Sequence, residues 1–152
     1  MIFHAAGFAE LDTSTLYALL KLRTDIFVVE QQCAYAELDG RDAEPGTRHL
    51  WFEKNRVPVA YLRMLTDIEP GAEGDIEVTR IGRVATVKEA REQGLAGKLV
   101  TAAMAAAGTR PCVLDAQTDV AKFYERYGFH QTGPEFVEDG IPHVPMRREI
   151  GG

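Results

Sequence analysis

Between Thr79 and Leu114 the chain passes from a β-branched run through a glycine-bearing turn into an alanine-rich helix, then into a second apolar run. Thr79-Arg80-Ile81-Gly82-Arg83-Val84-Ala85-Thr86-Val87 reads as a central strand, and a glycine inside a strand signals a bulge or a close approach of backbone to something else. Gly94 to Ala107 reads as a helix, with Leu95, Leu99, Ala102, Ala103 and Ala106 on one face and Gly108 placed to stop it. Cys112-Val113-Leu114 is then a short apolar strand. A strand-helix-strand crossover of this kind needs a sheet with a helix laid on it, so an α/β or α+β domain is expected.

The flanking sequence fits that core. From Asp12 to Glu30, Leu16, Leu19, Leu20, Ile26 and Phe27 recur at helical spacing, which predicts one helix or two, and Asp12, Thr13 and Ser14 offer N-cap oxygens. Tyr35 to Arg48 gathers turn-forming residues and reads as a polar loop. His49–Glu53 and Val57–Leu65 predict an antiparallel hairpin, with Pro58 near its edge or start. Glu69 to Asp75 is a second connection. Asp119 to Tyr127 predicts a helix ended by Gly128, and Val144 to Arg148 a last strand after the turn at Glu138-Asp139-Gly140-Ile141-Pro142.

Composition removes several classes of function. At 152 residues, 45% apolar, the chain has the size of one domain spanning 1–152, without internal repeats. Its longest uncharged small-residue run, Ala102–Gly108, is far short of the roughly 20 residues of a membrane span. Met1-Ile2-Phe3-His4-Ala5 has no basic, then apolar, export pattern, which makes a cytoplasmic location the expectation. With 17 basic and 23 acidic side chains the net charge is −6, which disfavours nucleic acid and suits a cationic small molecule. Cys33 and Cys112 form no CxxC pair and read as two buried free thiols. His4 and His130 lack neighbours of metal-ligand spacing, so no catalytic metal is expected.

The chemistry concentrates at Arg91-Glu92-Gln93-Gly94-Leu95-Ala96-Gly97-Lys98. The first turn of a helix exposes unsatisfied N–H donors at a positive dipole end, glycines let an anion approach the backbone, and Arg91 and Lys98 add charge. A Walker loop is excluded because Glu92 stands where its first glycine belongs and Leu99 where its Ser/Thr belongs. Gly94, Ala96 and Gly97 do not reproduce the dinucleotide fingerprint either. The plainer alternative is that these glycines only permit tight helix–strand packing.

Arg91-x-x-Gly94-x-Ala96, after Val84-Ala85-Thr86-Val87, resembles the [QR]-x-x-G-x-[GA] signature of the GNAT N-acetyltransferase superfamily. Ala121-Lys122-Phe123-Tyr124-Glu125-Arg126-Tyr127-Gly128-Phe129 is similar to that family's later "FY…GF" element. The closer similarity is to the ElaA-like branch, carried by Leu16–Leu20, Arg23, Phe27–Gln31, Ile81–Val84 and Glu138–His143. Glu92, where glycine is common, and Gln117, where asparagine is common, depart from the pattern. The resemblance implies a mixed central sheet flanked by helices with a carboxy-terminal hairpin, and an acetyl-CoA-dependent transfer of an acetyl group to a primary amine in a ternary complex.

It further implies that Val84, Ala85 and Val87 lie along the pantetheine, and that Arg91, Gln93, Gly94, Ala96, Gly97 and Lys98 hold the pyrophosphate, with Phe123 also at the cofactor. Tyr124 is the implied acid toward the leaving thiolate; the alternative is that it merely packs with Phe123. Glu30 and His143 are the candidate bases, because the resemblance puts both beside the acceptor cleft. Glu77 is another carboxylate near the central strand, equally explained as a solvated strand end, and His49 is expected to be a hydrogen-bonded structural histidine. Cys112 lacks an activating neighbour and reads as core. Asp39, Asp42 and Glu44 could meet a cationic acceptor, though a solvated turn is the ordinary reading. The acceptor is a small-molecule or peptide amine, and the family makes a homodimer reasonable. The rival readings are a noncatalytic coenzyme A sensor or interaction module, or an enzyme that takes a longer acyl-CoA.

Overall fold

The computed structural model describes residues 1–149. Its elements run β1 (Ile2–Gly7), α1 (Thr13–Thr24), β2 (Arg48–Lys54), β3 (Val57–Glu69), β4 (Ile76–Thr86), α2 (Leu95–Ala107), β5 (Cys112–Gln117), α3 (Ala121–Glu125), β6 (His130–Gln131), β7 (Phe136–Glu138) and β8 (Ile141–Arg148). The strands form one mixed sheet in the order β1-β2-β3-β4-β5-β8-β6, with β7 paired to β8. β4 and β5 pair in parallel, as the crossover through α2 requires, while the other neighbours are antiparallel.

β3 is buried on both faces, and its alternation divides the core in two. Ala60, Leu62 and Met64 face a cluster with Leu95, Leu99, Val100 and Ala103 of α2 and Leu114, Tyr124, Phe129 and Met146. Tyr61 faces the opposite way, into a second cluster with Leu19, Leu22 and Ile26 from the amino-terminal helical region and Trp51 of β2. Both helices therefore cover the same central strands from opposite sides.

Three expectations change. β1 pairs with β2 from Ile2↔Glu53 to Gly7↔Arg48, a strand the short, alanine-containing amino terminus did not announce. The Asp12–Glu30 helix is capped as expected, Asp12 Oδ1 accepting the Thr15 N–H at 2.7 Å, but after Thr24 it widens into a π turn over Asp25–Glu30. There Gln31 N–H donates to the Ile26 carbonyl and Cys33 N–H to the Val28 carbonyl, each five residues back. The helix expected over Asp119–Tyr127 contracts to α3 behind a 3-10 turn at Thr118–Val120.

Candidate active site

The pairing of β4 with β5 stops almost as soon as it starts, after Thr79↔Cys112 and Arg80↔Val113. Beyond Arg80, β4 keeps β3 as its neighbour and β5 keeps β8, so the two central strands part. A bulge accompanies the divergence: Tyr61 pairs with Ala85 but Arg63 with Gly82, so two steps on β3 match three on β4. Arg83, inside that extra step, has a φ of 53°, a left-handed conformation unusual for a side chain this large. The parted strands line a cleft of about 1130 Å³, with Val84, Ala85 and Thr86 on one wall and Leu114, Asp115, Ala116 and Gln117 on the other.

At one end of the cleft stands the start of α2. Gly94 holds a φ of 73° before the helix, and a Cβ built on it meets nothing within 4 Å. The glycine is there for its backbone angle and faces open space. The first helical bond comes from Lys98 N–H to the Gly94 carbonyl at 3.1 Å, so the amides of Leu95, Ala96 and Gly97 precede it, and no side-chain cap serves them among the described residues. These donors beside the cleft fit an anionic group. At Gly97 a Cβ would come within 2.0 Å of the Tyr127 hydroxyl, so the missing side chain there makes room for the turn after α3 rather than for a strand.

The cleft gathers Val84, Ala85, Arg91, Gly94, Ala96, Gly97 and Phe123 of the expected donor-side set, together with Tyr124, Glu30 and His143. It does not gather the other three. Val87 donates its N–H to the Val59 carbonyl at 2.9 Å and packs its side chain against both cores. Gln93 and Lys98 lie outside the lining, whereas Glu92, at a φ of 66°, is part of it.

Tyr124 is buried and borders the cleft, with its ring edge-on to Phe123 and Phe129. Burial pushes its phenol up to about 12, so the hydroxyl keeps its proton at neutral pH. His143 faces Gln117 in the β5–β8 register, and its ring stacks on Phe136 at 5.7 Å between centroids. His143 Nδ1 lies 2.7 Å from the Ile141 carbonyl. Because a carbonyl can only accept, Nδ1 carries the proton of the neutral ring and Nε2 keeps its lone pair. Glu30 sits at the end of the π turn, and Arg91 Nη2 donates to its two carboxylate oxygens at 2.9 and 2.8 Å.

Beside these residues lies a polar network that the sequence does not announce, and Asp39, Arg63 and Arg83 of it also line the cleft. Arg23, fully buried on α1, donates from Nε to Glu37 at 2.7 Å and from Nη1 to Asp42 at 2.6 Å. Arg63 binds Asp39 at 2.9 and 2.8 Å and Asp42 at 3.1 Å, and Arg83 binds Glu37 at 2.8 Å. The acidic loop is thus a solvated turn only in part: Asp39 is exposed and caps it by accepting the Arg41 N–H at 3.0 Å. Asp42 is buried, and Asp39 and Asp42 have their carboxyls held low by the neighbouring guanidiniums against the opposing effect of burial. His49 is structural, as expected: it joins the Tyr61 hydroxyl at 2.6 Å to the Asp42 carbonyl at 3.1 Å, and burial pulls its pKa down. Glu77 pairs with Arg110 away from the cleft. Cys112 is buried, but Cys33 is only half-buried and lines the cleft.

A model of the acetyltransferase (GNAT) domain matches residues 22–150, and the chain belongs to that family. A UPF0039 protein of Mycobacterium tuberculosis is 47% identical over 143 residues, covering 94% of this chain and 90% of the relative. The crystal structure of an acyl-CoA N-acyltransferase from Pseudomonas aeruginosa superposes with a TM-score of 0.86 at 41% identity, covering 97% of this chain and 98% of the other. The crystal structure of Escherichia coli ElaA gives 0.87 at 35% identity, covering 97% and 99%. The fold is thus that of GNAT acyltransferases, a family whose donors are acyl-CoA thioesters.

Proposed function

We propose that the chain is, as one catalytic domain, an acetyl-CoA-dependent N-acetyltransferase whose acceptor is a primary amine. The observation that carries this reading is the cleft itself: parted central strands, an uncapped helix start at one end, and a phenol and an imidazole on its walls. Leu95, Ala96 and Gly97 would hold the donor's diphosphate with their amides, with Arg91 adding charge, and the edge of Val84–Thr86 would hold its pantetheine arm. When bound, the donor supplies an acyl thioester whose C–S bond is exchanged for a C–N bond to the amine.

The protein's work is then positioning and proton transfer. His143 takes the amine's proton at Nε2, the atom left free by the Ile141 carbonyl. Tyr124 gives its hydroxyl proton to the departing sulfur and recovers one from solvent. Cys112, buried and with its thiol pushed up by burial, takes no part as an acyl carrier.

Thiol release on incubation with acetyl-CoA and a panel of polyamines, amino acids, aminoglycosides and lysine peptides tests this, with octanoyl-CoA run in parallel. Turnover with acetyl-CoA and at least one amine is the expected result. Coenzyme A binding with no turnover on any amine would leave a sensor, and turnover confined to octanoyl-CoA would make the enzyme a longer-chain acyltransferase.

A further inference from the structure

The end of the π turn reaches across the cleft at three successive points. Glu30 is bonded to Arg91, Gln31 accepts from Gln117 Nε2 at 3.4 Å, and Cys33 Sγ lies 3.4 Å from the Asp139 carbonyl it donates to. The first of these joins a residue expected at the donor to one expected at the acceptor, and it occupies both.

The geometry of Arg91 decides what must give way. Its Nε donates to the Thr86 carbonyl at 2.9 Å, which uses the edge formed by Nε and Nη2. A guanidinium grips a phosphate best with two parallel N–H groups, and the edge that remains, Nη1 with Nη2, is flanked by the Glu30 carboxylate bonded to Nη2. The carboxylate would also lie beside a diphosphate with like charge. With side chains 39% and 45% exposed, the pair is screened by water and its bond is readily exchanged.

We infer that Arg91 exchanges Glu30 for the donor's diphosphate, so that donor binding releases the Glu30 carboxylate to receive the ammonium of the acceptor. The inference rests on the acyl-CoA reading of the cleft. It gives Glu30 the task of binding the acceptor's ammonium, which loses one proton to solvent before it attacks, while His143 takes the second as the C–N bond forms. An amine would find its carboxylate free only when the donor is in place.

Calorimetric titration of coenzyme A into the full-length protein tests the exchange without needing an acceptor. Glu30→Gln should bind coenzyme A roughly two- to fivefold more tightly than the wild type, the gain expected from losing an exposed competing ion pair. Arg91→Ala should bind it more weakly, and adding Glu30→Gln to Arg91→Ala should bring no tightening. Equal or weaker binding by Glu30→Gln would overturn the exchange and show that carboxylate and diphosphate share Arg91. Tightening that persists without Arg91 would overturn it too, as an effect of bulk charge. A wild type without affinity for coenzyme A would instead remove the donor reading on which the exchange stands.

Discussion

Tyr124 is the side chain on which the proposed chemistry is most sharply testable. Its phenol, pushed up to about 12 by burial, stays protonated across the neutral range, so it can act as a donor at any working pH. Tyr124→Phe keeps the ring and its edge contacts with Phe123 and Phe129. We expect kcat to fall about 100-fold, the low end of what a general acid contributes, with coenzyme A affinity unchanged by calorimetry. A fall in affinity alone would return Tyr124 to a packing role. This residue was legible in the sequence because a local motif, Phe123-Tyr124 before Gly128-Phe129, marks it. The bond between Glu30 and Arg91 was not, since 61 positions separate them and pairing at that distance leaves no local pattern.

The segment between the π turn and β2 shows the same limit in an element rather than a residue. Its turn-forming composition was legible, and its loop is where it was expected. What composition could not convey is that Glu37 and Asp42 turn inward, and that Asp39 joins them from the surface, to arginines supplied by α1, β3 and β4. The network gives folding a pH dependence whose sign can be stated. His49 has its pKa lowered from 6.5 by burial, so the unfolded chain binds its proton more readily and stability falls as pH drops below about 6.5. Asp39 and Asp42 are lowered from 3.8, so their contribution is full above that value and is lost as pH falls further through their folded pKa values. Melting temperatures recorded from pH 8 downward should therefore decline in two stages. His49→Gln should flatten the decline between pH 7 and 5 while leaving the acid stage in place. A wild-type curve that is level down to pH 5 would contradict the buried neutral imidazole.

For the molecule as a whole, the crossover from β4 through α2 to β5 was legible because glycines punctuate it at Gly94 and Gly108, both with positive φ. The contribution of β1 was not, because an edge strand is chosen by its partner more than by its own six residues. The brief pairing of β4 with β5 carries a mechanical consequence. The main-chain ladder joins β1 to β4 with β5 to β8 only at Thr79–Arg80 and Cys112–Val113, while the core under α2 packs across both halves. A ligand lodged in the seam would act as a keystone, adding main-chain bonds where the ladder is interrupted. Coenzyme A should then slow amide hydrogen exchange on β4 and β5 together, far from where its phosphates rest. Protection confined to the first turn of α2 would mean that the ligand adds no main-chain bonds to the open edges of β4 and β5.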